Sequence, residues 1–246
     1  YNFACVVDDA TMNITHVIRG DDHISNTPKQ ILLYQALGFT VPDFAHLPLI
    51  LGAEGGRLSK RTGATAISDY RKMGYLPGAL ANYLLLLGWS PGENQEIIGI
   101  KDSINKFDIK DANKTAAAFN LEKLNWVNSQ YLKRLKDEEL LELLKPLCLE
   151  KKYINDDFDS NYLLSVVKLF KERISTLADF IDYGDFFFKE EIEIDKKDAD
   201  NVLKEGSLQI LERLSIRLEG LSDFNQTAIE ETFKGFIEKE GLKLSQ

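Results

Sequence analysis

Thr15-His16-Val17-Ile18-Arg19-Gly20-Asp21-Asp22-His23-Ile24-Ser25-Asn26-Thr27-Pro28-Lys29-Gln30 is the stretch on which the fold turns. Its first four residues have the length and β-branched content of a strand, and its last four read as the start of a helix. Thr27 fits an N-cap, Pro28 the first helical position, and Gln30 completes a capping box. Apolar residues at 31, 32, 33, 36 and 37 carry that helix to Gly38, which stops it. Residues 45–51 are the next strand candidate. Strand, helix and strand in this order predict a parallel crossover. Upstream, residues 3–7 (Phe3-Ala4-Cys5-Val6-Val7) read as a short strand, followed by a turn at Asp8, Asp9 and Asn13. Three strand candidates are too few for a complete doubly wound sheet.

From residue 66 onward the pattern turns helical. Residues 77–87 form an apolar helix closed by Gly88, and Asn120 caps a helix carrying Leu121, Leu124, Trp126, Val127 and Tyr131. Asp137 caps another, with Leu140, Leu141, Leu143, Leu144 and Leu147. Helical patterns continue at 159–171, 198–218 and 226–240, and the acidic stretch 185–200 reads as a connection. Trp89, Trp126 and Phe186-Phe187-Phe188 read as core rather than as base-stacking platforms. The class is therefore α/β followed by all-α, with no internal repeat and no low-complexity linker.

Composition narrows the function classes. The chain has 246 residues, is 44% apolar, and contains 14 Phe, so it is not mainly disordered. Apolar runs such as residues 83–87 fall far short of the ~18 residues that span a bilayer. Two distant cysteines, Cys5 and Cys148, suggest free thiols in a reducing compartment, and no Cys/His cluster has metal-ligand spacing. No charged segment followed by an apolar one precedes residue 3, so no signal peptide is expected. A strand starting there without neighbours predicts a truncated chain. Net charge is −9, yet residues 57–75 carry +4 and residues 101–134 carry +3. Two basic islands in an acidic protein keep non-specific polyanion binding low while leaving local phosphate contacts open.

Two segments carry candidate chemistry. In Gly52-Ala53-Glu54-Gly55-Gly56-Arg57-Leu58-Ser59-Lys60-Arg61-Thr62-Gly63, three cations lie between glycines. Cations on a loop with such freedom can close over a polyphosphate, although spacing alone leaves a solvated basic turn open. In the segment after residue 15, Arg19 and Asp22 follow a strand, where ligands bind in parallel α/β sheets. Arg19 could fork onto a substrate carboxylate and Asp22 could accept from a ribose hydroxyl or an amine. An Arg–Asp pair within the loop is the alternative. His16 and His23 are too few for a metal site, His46 reads as packing or capping locally, and Tyr1 as touching a ligand or packing.

Taken together, Tyr1-Asn2-Phe3-Ala4-Cys5-Val6-Val7-Asp8-Asp9, the stretch from His16 to Gln30, Arg57-Leu58-Ser59-Lys60-Arg61, Leu76-Pro77 through Leu87-Gly88-Trp89-Ser90, and Phe119-Asn120-Leu121-Glu122-Lys123-Leu124-Asn125-Trp126 resemble bacterial glutamyl-tRNA synthetase. The resemblance implies the second half of a Rossmann-type class I catalytic domain (1–64). A helical stem-contact domain (65–136) and an incomplete helical anticodon-binding region (137–246) would follow. It implies a piece of a longer enzyme that is inactive alone, with a His-Ile-Gly-His signature and the zinc ligands of some relatives expected before Tyr1.

Arg57–Arg61 matches the Lys-Met-Ser-Lys-Ser signature with changes at Arg57, Leu58 and Arg61, which makes Lys60, helped by Arg57 and Arg61, the catalytic cation on ATP phosphates. By the same resemblance Tyr1, Cys5 and Arg19 hold L-glutamate, with Cys5 standing where relatives place an amide. Asp22 lies near ATP, and Arg173 and Lys123 contact tRNA(Glu). ATP with Mg²⁺, a cytoplasmic setting, a monomer and no membrane are likewise implied. A glutaminyl-tRNA synthetase, a glutamyl-transferring tRNA-modification enzyme and a non-catalytic RNA-binding module are the competing readings. The first is disfavoured by the helical downstream half and the second by that half's length.

Overall fold

The computed structural model describes residues 1–52, 55–56, 66–155, 157–192, 199–200, 203 and 206–242. It divides into two compact units, Tyr1–Glu190 and Glu191–Gln246.

The first unit opens with helix α1 (Asn2–Thr11), where a strand was expected at residues 3–7. The reason lies in its partner helix α2 (Thr27–Ala36). Asn2, Val6 and Asp9 recur at helical spacing, and each meets or faces α2. The Gln30 amide donates to Asn2 Oδ1 at 3.2 Å, the Tyr34 hydroxyl donates to Asp9 Oδ2 at 3.3 Å, and Val6 and Tyr34 are both 1% exposed. A five-residue apolar run does not by itself distinguish a strand from a buried helical stripe. Gln30 is therefore a buried link to α1 and not the second half of a capping box. Tyr1 precedes a helix, not a strand.

The expected crossover is present. Strand β1 (His16–Gly20) leads through a 3-10 segment (Asp21–Asn26) into α2, and strand β2 (Asp43–Leu47) returns parallel to β1. The register sets Val17 against Phe44, Ile18 against Ala45, and Arg19 against His46. The second strand is shorter than the expected 45–51. It breaks at Pro48, whose missing N–H cannot join a ladder, and the chain resumes as β3 (Ile50–Leu51). β3 pairs in parallel with a two-residue strand from far along the chain, β4 (Ala117–Ala118), and the Phe119 amide donates to the Leu51 carbonyl at 2.7 Å.

Helices fill the rest of this unit: α3 (Ile67–Lys72), α4 (Pro77–Gly88), α5 (Ile100–Lys106), α6 (Leu121–Arg134), α7 (Asp137–Glu150), α8 (Ser160–Phe170) and α9 (Leu177–Tyr183). One core joins α4 and α6 through Ala79, Leu80, Tyr83, Leu124 and Val127, with Tyr70, Tyr75 and Phe119 packed edge to face around it. A second core joins α7, α8 and α9 through Leu140, Leu144, Val167, Leu177 and Phe180. Leu76 packs against both. Beside it, buried Asn128 of α6 accepts from the Leu76 amide at 2.8 Å and donates to the Ser175 carbonyl at 2.5 Å. Gly74 completes the joint: its φ is +81°, and its carbonyl accepts from the Leu177 amide at 3.1 Å.

Three local expectations change. Asn120 does cap α6, accepting from the Lys123 amide at 2.9 Å. Asp137 does not cap α7. Glu139 reaches back to the Lys136 amide at 2.7 Å, and Asp137 instead accepts from Lys171 Nζ at 2.8 Å. Trp89 is buried as expected, whereas Trp126 is 41% exposed, with Lys123 Nζ 4.2 Å above its ring. Phe187 and Phe188 pack on the second core, and Phe186 lies against Phe187 while staying largely exposed.

The second unit contains α10 (Ser207–Glu219) and α11 (Gln226–Glu240). Asn225 caps α11, accepting from the Ala228 amide at 3.0 Å. Arg213 pairs with Glu240 at 2.6 Å, and the Arg217 guanidinium lies 5.4 Å from the ring centre of buried Phe236. Among the described residues no helix is long and apolar enough to cross a membrane.

Candidate functional site

The carboxyl end of β1 gathers four of the expected site residues. Arg19 is the penultimate residue of the strand, half-buried, and held on three sides. Its Nη2 donates to Thr27 Oγ1 at 2.7 Å, its Nε donates to His46 Nε2 at 3.5 Å, and its Cζ lies 5.3 Å from the centre of the Phe44 ring. Thr27 begins α2, so the hydroxyl that was expected to cap the helix serves the arginine instead. No side-chain cap bond is made at that end of α2.

Neither hydrogen-bond partner of Arg19 is a carboxylate. An arginine normally meets carboxylates when it leaves bulk water. Here, among the described residues, no carboxylate is paired with it within ion-pair distance. Its remaining N–H groups are suited to an anion that arrives from outside.

Tyr1 stands next to this group. It is exposed, and its hydroxyl lies 3.3 Å from His23 Nδ1. Its phenol is pushed above the ordinary tyrosine value by burial first, then by a hydrogen bond and charge interaction with Cys5. The Arg19 charge pulls it down and the Asp22 charge raises it. Cys5, Arg19 and Asp22 thus each lie within electrostatic reach of Tyr1. Asp22 folds back on the strand end: a Cβ placed on Gly20 would fall 2.6 Å from Asp22 Oδ1, so only glycine lets the carboxylate approach there. The step from β1 into the 3-10 segment therefore fixes where Asp22 points.

The basic loop follows β3. Its entrance is a glycine turn, with the Gly52 amide donating to the Gly56 carbonyl at 2.7 Å, the Gly55 amide to the Gly52 carbonyl at 2.9 Å, and Gly55 at φ +80°. Arg57, Lys60 and Arg61 lie outside the described residues. Lys123, on α6, is ion-paired with Glu96 at 2.5 Å beneath its contact with Trp126. Arg173 is exposed in the turn after α8, its amide donating to the Phe170 carbonyl at 2.8 Å. Neither belongs to the Arg19 group.

Sequence reasoning missed Thr27, His46 and Phe44 as members of this group. His46 was read as packing locally, and it does stack on Phe44 at 6.5 Å with ring planes 5° apart. Its second role depends on the β1–β2 register. The usable signal was the alternation Phe44, His46 on one face of a strand paired with the strand of Arg19.

Residues 1–126 match the family described as tRNA synthetases class I (E and Q), catalytic domain, and residues 139–246 match the family described as anticodon binding domain. The glutamate--tRNA ligase of Geobacter sulfurreducens is 48% identical over 246 residues, which is 100% of this chain and 52% of that protein. The corresponding ligase of Geotalea uraniireducens is 46% identical, over 100% of this chain and 52% of its own length. A crystal structure of a glutamate tRNA ligase from Elizabethkingia meningosepticum in complex with its amino acid superposes with a TM-score of 0.76 at 34% identity. It covers 99% of this chain and 51% of that one. The chain spans about half the length of the curated relatives it matches.

Proposed function

The chain belongs to the class I tRNA synthetases of the E and Q type, and on that premise we propose that it serves ATP-dependent ligation of L-glutamate to tRNA(Glu). The activity resides in a cytoplasmic protein of its relatives' length. In this reading residues 1–64 are the second half of a Rossmann-type catalytic domain carrying the signature basic loop. Residues 65–136 are a helical stem-contact domain and residues 137–246 a helical anticodon-binding region, incomplete here. The single observation that carries the substrate assignment is Arg19: a half-buried guanidinium at a strand's carboxyl end with no carboxylate among its hydrogen-bond partners.

The glutamate α-carboxylate attacks the α-phosphorus of ATP, pyrophosphate leaves, and the mixed anhydride glutamyl-adenylate forms. A terminal ribose hydroxyl of the tRNA then attacks the acyl carbon, and AMP leaves as the ester forms. Such chemistry needs positioning and charge matching more than a protein nucleophile. Arg19 grips the side-chain carboxylate, with Tyr1 and Cys5 beside it. A guanidinium has donors only, so it suits a carboxylate and sets glutamine's NH₂ against N–H groups. Asp22 accepts from the adenylate ribose or the substrate amine. Lys60, with Arg57 and Arg61, meets the charge that develops on the phosphates. Lys123 and Arg173 contact tRNA. The resemblance brings magnesium along with ATP. Among the described residues no group of three or more His, Cys, Asp or Glu could cage an ion by itself, so the magnesium would be held largely by the ATP phosphates, and no step here runs through it.

The test is aminoacylation of tRNA(Glu) by the full-length protein carrying this chain, with glutamate and glutamine in parallel. Arg19→Ala is expected to raise the glutamate KM steeply and narrow the preference over glutamine. Lys60→Ala is expected to slow adenylate formation by roughly 10² to 10³, the usual worth of one preorganised charge. An unchanged glutamate KM in the first variant removes the substrate assignment.

A further inference from the structure

We propose that Thr27, His46 and Phe44 form a positioning cage that fixes which edge of the Arg19 guanidinium faces the ligand, and so sets the selectivity for an acidic side chain. The inference rests on the reading of Arg19 given above and adds residues to which that reading gives no role.

The cage is assembled by topology. The β1–β2 register puts His46 opposite Arg19, and Phe44, two residues earlier, shares the face of His46. Thr27, the first residue of α2, closes the third side. The contacts form a relay. Arg19 Nη2 donates to Thr27 Oγ1 at 2.7 Å, and Thr27 Oγ1 stands 2.9 Å from His46 Nε2. The threonine oxygen is accepting from the arginine, so its single hydrogen goes outward, to His46 Nε2 at 2.9 Å or to the His23 carbonyl at 3.3 Å. Arg19 Nε also points at His46 Nε2. That contact asks Nε2 to accept, which in a neutral imidazole places the ring hydrogen on Nδ1; the direction of the Thr27–His46 contact follows the same tautomer.

The consequence is orientation. A free arginine side chain has many rotamers, a freedom that a ligand otherwise has to overcome when it arrives. Here the Phe44 face and two hydrogen bonds remove that freedom beforehand. Nε and one N–H of Nη2 are taken up, so the outer edge, Nη1 with the second N–H of Nη2, is the edge offered for a bidentate carboxylate. Because the cage contains no carboxylate, the grip on Arg19 is made without cancelling its charge.

Aminoacylation by the full-length protein separates this role from a merely structural one. Thr27→Val removes the hydroxyl at constant shape, and His46→Phe keeps the stack on Phe44 while removing Nε2. Each is expected to raise the glutamate KM about tenfold, the equivalent of ~1.4 kcal/mol, with the ATP KM and the melting temperature unchanged. Thr27→Ser and His46→Gln, which restore a hydroxyl and an acceptor, are expected to recover most of the loss. A glutamate KM that stays at the wild-type value in Thr27→Val and His46→Phe, or an ATP KM that rises in step with it, overturns the cage. If Thr27→Val fails to fold, His46→Phe decides. Arg19→Ala in the same assay keeps the two levels apart. A raised KM there with silent cage variants removes only the cage, whereas an unchanged KM there removes the underlying substrate reading and the cage with it.

Discussion

Replacing Asn128 with alanine is expected to cost about 3 kcal/mol of stability. The side chain is fully buried, and both its ends are used: Oδ1 accepts from the Leu76 amide at 2.8 Å and Nδ2 donates to the Ser175 carbonyl at 2.5 Å. Alanine leaves both backbone groups without partners inside the joint between the two helical cores. An unsatisfied polar group of this kind costs roughly 1–3 kcal/mol. Leu76 and Ser175 are half-buried, so each falls in the lower part of that range, and the vacated side-chain volume adds to the sum. Urea titration at constant m-value measures the total, and amide exchange at Leu76 reports the local opening. Asn128→Asp supplies the internal control. It keeps the acceptor for Leu76 but turns a carboxylate oxygen toward the Ser175 carbonyl, which raises its pKa in the fold. Its stability should therefore improve as pH falls, when the protonated carboxyl donates to that carbonyl. A loss under about 1 kcal/mol in the alanine variant, with Leu76 exchange unchanged, refutes the reasoning.

Other outcomes follow from the same geometry. Gly74→Ala should destabilise by at least ~2 kcal/mol, since φ is +81° and the new Cβ would stand 2.7 Å from the Ala178 nitrogen. Gly88→Ala, where a Cβ meets nothing within 4 Å, should be neutral or stabilising, and comparing the two melting curves checks both. Burial, then the Asp179 and Tyr70 charges, pushes the Tyr75 phenol up to about 12. A raised folded pKa means that stability is whole below pH 10 and falls from there toward 12, by about 2–3 kcal/mol. Tyr75→Phe should remove that part of the alkaline slope in urea midpoints, and an identical slope counts against it. Burial pushes the Cys148 thiol up to about 11, so in the native chain a thiol reagent near pH 8 should label Cys5 and reach Cys148 only on unfolding. Rapid labelling of both thiols without unfolding contradicts this.

What was legible in the sequence was punctuation and period. β-Branched residues at 15–18 and Pro28 just inside a helix start announced the crossover, and Asn120 announced α6, because these signals act within a few residues of themselves. What was hidden depended on partners. The helix at Asn2–Thr11 owes its face to Gln30 and Tyr34, which a five-residue apolar run does not reveal. Ala117–Ala118 have no strand propensity and pair only because Ile50–Leu51 are there to receive them. Thr27 and Asp137 were read as caps from correct local rules, and tertiary partners, Arg19 and Lys171, took their oxygens instead. The candidate site divides in the same way. The residue types of Arg19 and Asp22 were readable, whereas the pairing of Arg19 with His46 required the strand register. The cations of the basic loop were readable from composition and fall outside the described residues.

The short pairing of Ile50–Leu51 with Ala117–Ala118 also orders events in time. Contacts between distant parts of a chain wait until the intervening segment has been placed, and during synthesis the earlier residues emerge first. The crossover of β1, α2 and β2 is available as soon as residue 47 leaves the ribosome. The strand that launches the glycine turn at 52–56 gains its neighbour only after residue 119 has emerged. On a nascent polypeptide, therefore, the Arg19 group is assembled well before the base of the basic loop is anchored.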